Sequence, residues 1–76
     1  MTPFTWKTIA YGELVSSWNN FTLKVEQLKN KNWWWSVNKG REVIDDAWNY
    51  TTGYKTEREA KLFCESVARK LMEENQ

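Results

Sequence analysis

Trp33-Trp34-Trp35-Ser36-Val37 is the stretch whose reading decides the fold: three tryptophans, then a small polar residue and a β-branched one. Successive side chains of a strand point to opposite faces, so Trp33, Trp35 and Val37 go to one side and Trp34, Ser36 and Asn38 to the other. The first face is the expected core. The second carries a lone tryptophan, and function is sought there.

Upstream of this strand, Phe21-Thr22-Leu23-Lys24-Val25-Glu26-Gln27 is the cleanest alternating run in the chain. Phe21, Leu23 and Val25 fall on one side and Thr22, Lys24 and Glu26 on the other, which predicts a half-buried strand. Lys29-Asn30-Lys31-Asn32 reads as the polar turn of a hairpin whose second arm is the tryptophan strand. Nearer the amino terminus, Phe4 to Tyr11 is rich in β-branched and aromatic residues and follows Pro3, which suits a first or edge strand. Gly12 interrupts it. We expect Glu13 to Asn20 to continue that strand past a bulge, with a short helical turn as the alternative.

Downstream, Asn38-Lys39-Gly40-Arg41 predicts a tight turn in which Gly40 takes positive φ. Glu42 to Tyr50 is the next strand, and adjacent Asp45 and Asp46 would put a carboxylate on each face, so a bulge or an early end to pairing is expected there. Thr56-Glu57-Arg58-Glu59 is a capping box that starts a helix over about 56–73. Its stripe is Ala60, Phe63, Cys64, Val67, Ala68 and Leu71, backed by an i,i+4 ladder of Glu57, Lys61, Glu65, Arg69 and Glu73. Leu62 lies off the stripe, and Glu73 to Gln76 should fray. The expected fold is α+β: an antiparallel sheet of three or four strands with one carboxyl-terminal helix packed on one face, residues 1–76 forming a single domain. A single helix covers only one face of such a sheet, so the other meets solvent or a partner.

Size and composition narrow the function. A chain of 76 residues buries a smaller share of its surface than a larger one, and its six Trp, three Phe and three Tyr compensate by being large. Eleven Lys and Arg against ten Asp and Glu leave a net charge of +1, so no strong long-range field draws the protein to nucleic acid. One cysteine excludes an intramolecular disulfide, and the chain shows neither a basic-then-apolar leader nor an apolar run long enough to span a membrane. A cytoplasmic location is therefore expected. Asn20-Phe21-Thr22 and Asn49-Tyr50-Thr51 match the glycosylation acceptor pattern and read as ordinary strand-edge residues.

Catalytic chemistry finds little to work with. There is no histidine, the commonest general acid-base group and metal ligand. Cys64 falls in the apolar stripe and reads as a packed core residue. Asp45, Asp46 and Glu42 do not close a Mg²⁺ shell, because adjacent strand residues point apart, and the three glycines are too scattered for a phosphate loop. No catalytic residue, cofactor or metal is expected. A non-enzymatic binding protein is.

The candidate contact surface is the open sheet face around Trp34, with Lys24, Thr22 and Glu26 on the neighbouring strand, Ser36 beside it and Arg41 at the turn. Aromatic residues concentrate binding energy at protein interfaces, and an indole also stacks on nucleobases. The competing expectation is that Trp34 packs against Trp48, Tyr50 or the amino-terminal segment as a small second core, or in a dimer. Lys29 and Lys31 sit at one turn and Lys39 and Arg41 at the other, so they form no continuous basic stripe. Convergence of Lys7, Lys24 and Arg41 on the open face would make a nucleic-acid surface. Capture of a small nucleotide in an aromatic pocket is a third reading.

Two resemblances bear on these readings. Trp35 through Leu71, above all Tyr54-Lys55-Thr56-Glu57-Arg58-Glu59-Ala60, resembles the three-strand-plus-helix DNA-binding domains of plant ethylene-response factors and the arm-binding domains of tyrosine integrases. That likeness implies an open sheet entering the major groove, with Lys24, Trp34 and Arg41 at matching positions. In size and layout the whole chain also resembles small bacteriophage and mobile-element proteins, several of which block bacterial immune systems by binding alone. This second likeness implies a phage-type inhibitor that docks on a host protein or complex inside a bacterial cell, with a DNA- or RNA-binding module as the alternative.

Overall fold

The computed structural model describes residues 4–18 and 20–74. Its sheet has five strands in sequence order, β1 (Lys7–Ala10), β2 (Glu13–Trp18), β3 (Phe21–Gln27), β4 (Trp33–Lys39) and β5 (Glu42–Asp46), each antiparallel to the next. A 3-10 turn (Ala47–Asn49) and helix α1 (Glu57–Glu74) follow. This is the expected α+β architecture with one strand more than the upper count.

The extra strand comes from Gly12. It does not mark a bulge in one long strand. Ala10 pairs with Glu13 across a two-residue hairpin of Tyr11 and Gly12, and Gly12 takes φ +72°, a conformation that L side chains adopt only with strain. The chain therefore folds back as β2. Gly40 has φ +63° and makes the β4–β5 turn as expected, whereas in the β3–β4 turn the positive φ falls on Lys31 at 71° and not on either asparagine. Asn30 serves that turn differently, its side-chain oxygen accepting from the Asn32 N–H at 3.0 Å.

β5 is shorter than the predicted strand. Val37 pairs with Asp45 and Asn38 with Val43, which leaves Ile44 as an extra residue, and pairing ends at Asp46. The two carboxylates build the corner that follows. Asp46 accepts from the Trp48 N–H at 2.9 Å as the cap of the 3-10 turn, while Asp45 accepts from the Asn49 amide and the Tyr50 hydroxyl, both at 2.6 Å. Trp48 and Tyr50 thus leave the sheet instead of extending it.

Helix α1 begins after Thr56, whose hydroxyl oxygen accepts from the Glu59 N–H at 3.1 Å and whose O–H donates to the Glu59 carboxylate at 3.1 Å. It packs on β3 and β4. Leu23, Val25, Trp35 and Val37 are wholly buried beneath Ala60, Cys64 and Ala68. Small residues on the helix let it lie close to a sheet whose own side chains are large. Tyr54 joins this layer by pairing its backbone with that of Trp33, whose side chain is only half-buried.

The helix stripe is rotated from its expected position. Phe63 is 37 % exposed, Met72 is buried, and Glu65, placed by the sequence on a solvated ladder, is 7 % exposed. Glu65 is covered by the amino-terminal segment, which crosses to the helix: the Trp6 indole N–H donates to Glu65 at 2.7 Å, and Phe4 packs edge-on against Trp18 with the Arg69 guanidinium over its ring. The ladder survives in two rungs, Lys61 to Glu57 at 2.9 Å and Arg69 to Glu65 at 3.6 Å. Glu73 and Glu74 remain helical, and Pro3, Asn75 and Gln76, which also carried expectations, lie outside the described residues.

Candidate functional site

Pairing register builds the uncovered face of the sheet row by row. One row runs Lys7, Val15, Lys24, Ser36 and Asp46 from β1 to β5; a second holds Ser17, Thr22, Asn38 and Val43; a third holds Ala10, Glu13, Glu26 and Trp34. Trp34 therefore stands directly across from Glu26, with Lys24 on the diagonal, close enough for side chains to interact.

Trp34 has a second neighbour. The 3-10 turn carries Trp48 back over the end of β4, and the two indoles meet at 6.4 Å between centroids with a 40° tilt. Trp34 is half-buried in this contact, and its indole N–H is enclosed without a hydrogen-bond acceptor among the described residues. Trp48 remains 54 % exposed. The middle indole of the triplet is thus neither free in solvent nor sealed inside. It is propped by a second, more exposed ring, and Val43, also 54 % exposed, lies on the same face.

The other sequence-predicted contact residues fall unequally. Lys24 and Glu26 flank Trp34. Thr22 lies one row further along β3, opposite Asn38. Ser36 shares the face but is 3 % exposed, its hydroxyl accepting from the Asn38 amide at 3.0 Å, so it presents no surface to a partner. Arg41 sits in the turn beyond the far end of β4, about 20 Å along the strand from Trp34. Trp48, Glu13 and Asp46 are brought to the site without having been assigned to it. For Trp48 the available signal was the Asp45-Asp46 pair, which stops the strand and turns the chain.

Electrostatics on this face are mixed. Its rows contain two cations, Lys7 and Lys24, and three carboxylates, Glu13, Glu26 and Asp46. Arg41 does not converge with the lysines. Lys24 reaches Glu13 at 3.8 Å, which draws its ammonium toward β2 and away from Trp34.

The opposite layer carries its own aromatic group. Trp35, Tyr50 and Phe63 pack mutually at 5.1 to 5.8 Å, with Tyr54 against Phe63. The hydrogen bond to Asp45, together with burial and that carboxylate's charge, pushes the Tyr50 phenol up to about 12. Beside this group a shallow hollow is lined by Tyr54, Glu59, Leu62, Phe63 and Ser66. Cys64 lies under the helix with its thiol 3.7 Å from the Ser36 carbonyl oxygen, and burial, reinforced by the neighbouring Glu65 charge, raises its pKa. A thiol so held stays protonated and is a poor nucleophile at neutral pH.

Among the described residues no helix is long and apolar enough to cross a membrane. The chain matches no family model, no curated protein sequence and no solved structure.

Proposed function

We propose that this is a non-catalytic binding protein that docks on another protein through the Trp34–Trp48 pair and the sheet face around it. The observation that carries this reading is an indole pair on the face opposite the helix, Trp34 half-buried and Trp48 keeping 54 % of its surface in water. Large aromatic rings set in a partly dry, partly polar patch are the usual anchors of protein interfaces. The protonated, buried thiol and a chain without histidine support a role without bond-making chemistry. The phage-type likeness in size and layout gives the partner its class, a host protein or complex that the small chain obstructs by occupying it.

Two cations against three carboxylates on this face argue for protein over nucleic acid, since phosphate recognition needs a clear positive excess. The test is a pair of measurements. Capture from a bacterial lysate with the parent chain, using Trp48→Ala as the control bait, should retain a partner that the variant loses. Labelled DNA and RNA titrated from low to high salt should show no specific complex. Tight nucleic-acid binding with a steep salt dependence would overturn the reading.

A further inference from the structure

The neighbourhood of the indole pair is not charge-neutral, and its imbalance has a sign. Glu13 and Glu26 face each other directly across β2 and β3, an arrangement of like charges that costs stability on its own. Lys24 relieves one of them, reaching Glu13 at 3.8 Å, and no described cation pairs with Glu26. Glu26 stands directly across β3–β4 from Trp34. On the other flank Asp46, paired with Ser36 on the same face, accepts from the Trp48 backbone N–H. The indole pair is thus bracketed by carboxylates of β3 and β5, and its more exposed ring, Trp48, stands beside them.

An aromatic face next to carboxylates attracts a cation twice over, through the ring quadrupole and through direct charge. An anionic partner would meet repulsion at the same spot. We infer that the segment docking on Trp34 and Trp48 is basic, an arginine-bearing stretch of a partner protein whose guanidinium stacks on Trp48 and is balanced by Glu26 and Asp46. Arginine suits the position better than lysine because its planar fork stacks and pairs with a carboxylate at once. This rests on the docking reading above and adds the chemistry of the partner to it.

The probe is a random dodecapeptide display library panned on the folded full chain, with Trp48→Ala as counter-selection. The expected winners contain arginine, lose on the order of tenfold in affinity when that arginine is made citrulline, and lose a similar factor against Glu26→Gln. Asp46 is left unmutated because it caps the 3-10 turn. Circular dichroism of Glu26→Gln, an exposed-face change, keeps folding separate from binding. Winners that depend on Trp48 but are neutral or acidic, and are indifferent to Glu26→Gln, would overturn the basic-partner inference while leaving the docking surface standing. Failure to select any peptide that depends on Trp48 would overturn both.

Discussion

Trp35 and Trp34 are adjacent in sequence and separated by the thickness of a sheet. Trp35 is wholly buried beneath α1, stacked on Phe63 at 5.8 Å and meeting Tyr50 at a tilt at 5.7 Å. Trp34 faces the other way, propped on a ring that is itself more than half exposed. The same residue type closes the fold on one side and is left available on the other, and only the cover above it differs. A helix with Ala60, Cys64 and Ala68 toward the sheet gives Trp35 complete burial; Trp34, at the edge of the core, has the Trp48 indole of a three-residue turn against it and stays half-buried.

Removing the buried ring is the strongest way to sharpen this contrast. Trp35→Ala should cost about 3–5 kcal/mol, close to the whole stability of so small a domain, and urea titration followed by far-ultraviolet circular dichroism should find it largely unfolded in buffer. The covered face also has a polar seam, which tests whether burial there is only apolar. Glu65→Ala takes the acceptor from the Trp6 indole and the partner from Arg69, and should lower stability by about 1–3 kcal/mol in the same titration.

The smallest expected effect is in the alkaline limb. The folded state raises Tyr50 from its ordinary 10 to about 12, so it favours the neutral phenol. That contribution is fully present below pH 10 and is lost as pH rises from about 10 to 12. Tyr50→Phe should therefore be less stable than the parent at neutral pH and should lose less on going to pH 11. An equal loss in both proteins would place Tyr50 outside the coupling.

How much of this was legible follows from the range of each interaction. Alternation in Phe21 to Gln27 and in the tryptophan strand is local, and it correctly separated Leu23, Val25, Trp35 and Val37 from Lys24, Glu26 and Trp34. The Thr56 cap and the stop at Asp45-Asp46 are local too. What escaped depends on distant partners. Nothing near Glu65 announces that Trp6, fifty-nine residues away, will cover it, so a charged rung was read as solvated and Phe63 as core. The stretch ahead of Gly12 reads as a strand, but all four residues of β1 are exposed, so no apolar pattern shows that Gly12 turns the chain back into a second strand and does not merely bulge the first. At the candidate site, the hairpin puts Trp34 beside Lys24, Thr22 or Glu26 without choosing among them, and the register sets it across from Glu26; Ser36 reads as surface because alternation gives a face and not an exposure. Trp48 enters the sequence reading only as one of several alternative partners of Trp34, with nothing to single it out, because a 3-10 turn has no period to read.

The central claim is that the pleat divides neighbouring indoles between folding and docking, and equilibrium urea unfolding of Trp34→Ala beside Trp35→Ala tests it most directly. The account predicts that Trp34→Ala loses about 1–2 kcal/mol, in keeping with a half-buried ring, and still unfolds in one cooperative transition, while Trp35→Ala has almost no folded baseline. Equal losses in the two variants would contradict it, because Trp34 would then belong to the core and the open face would have no ring to spare.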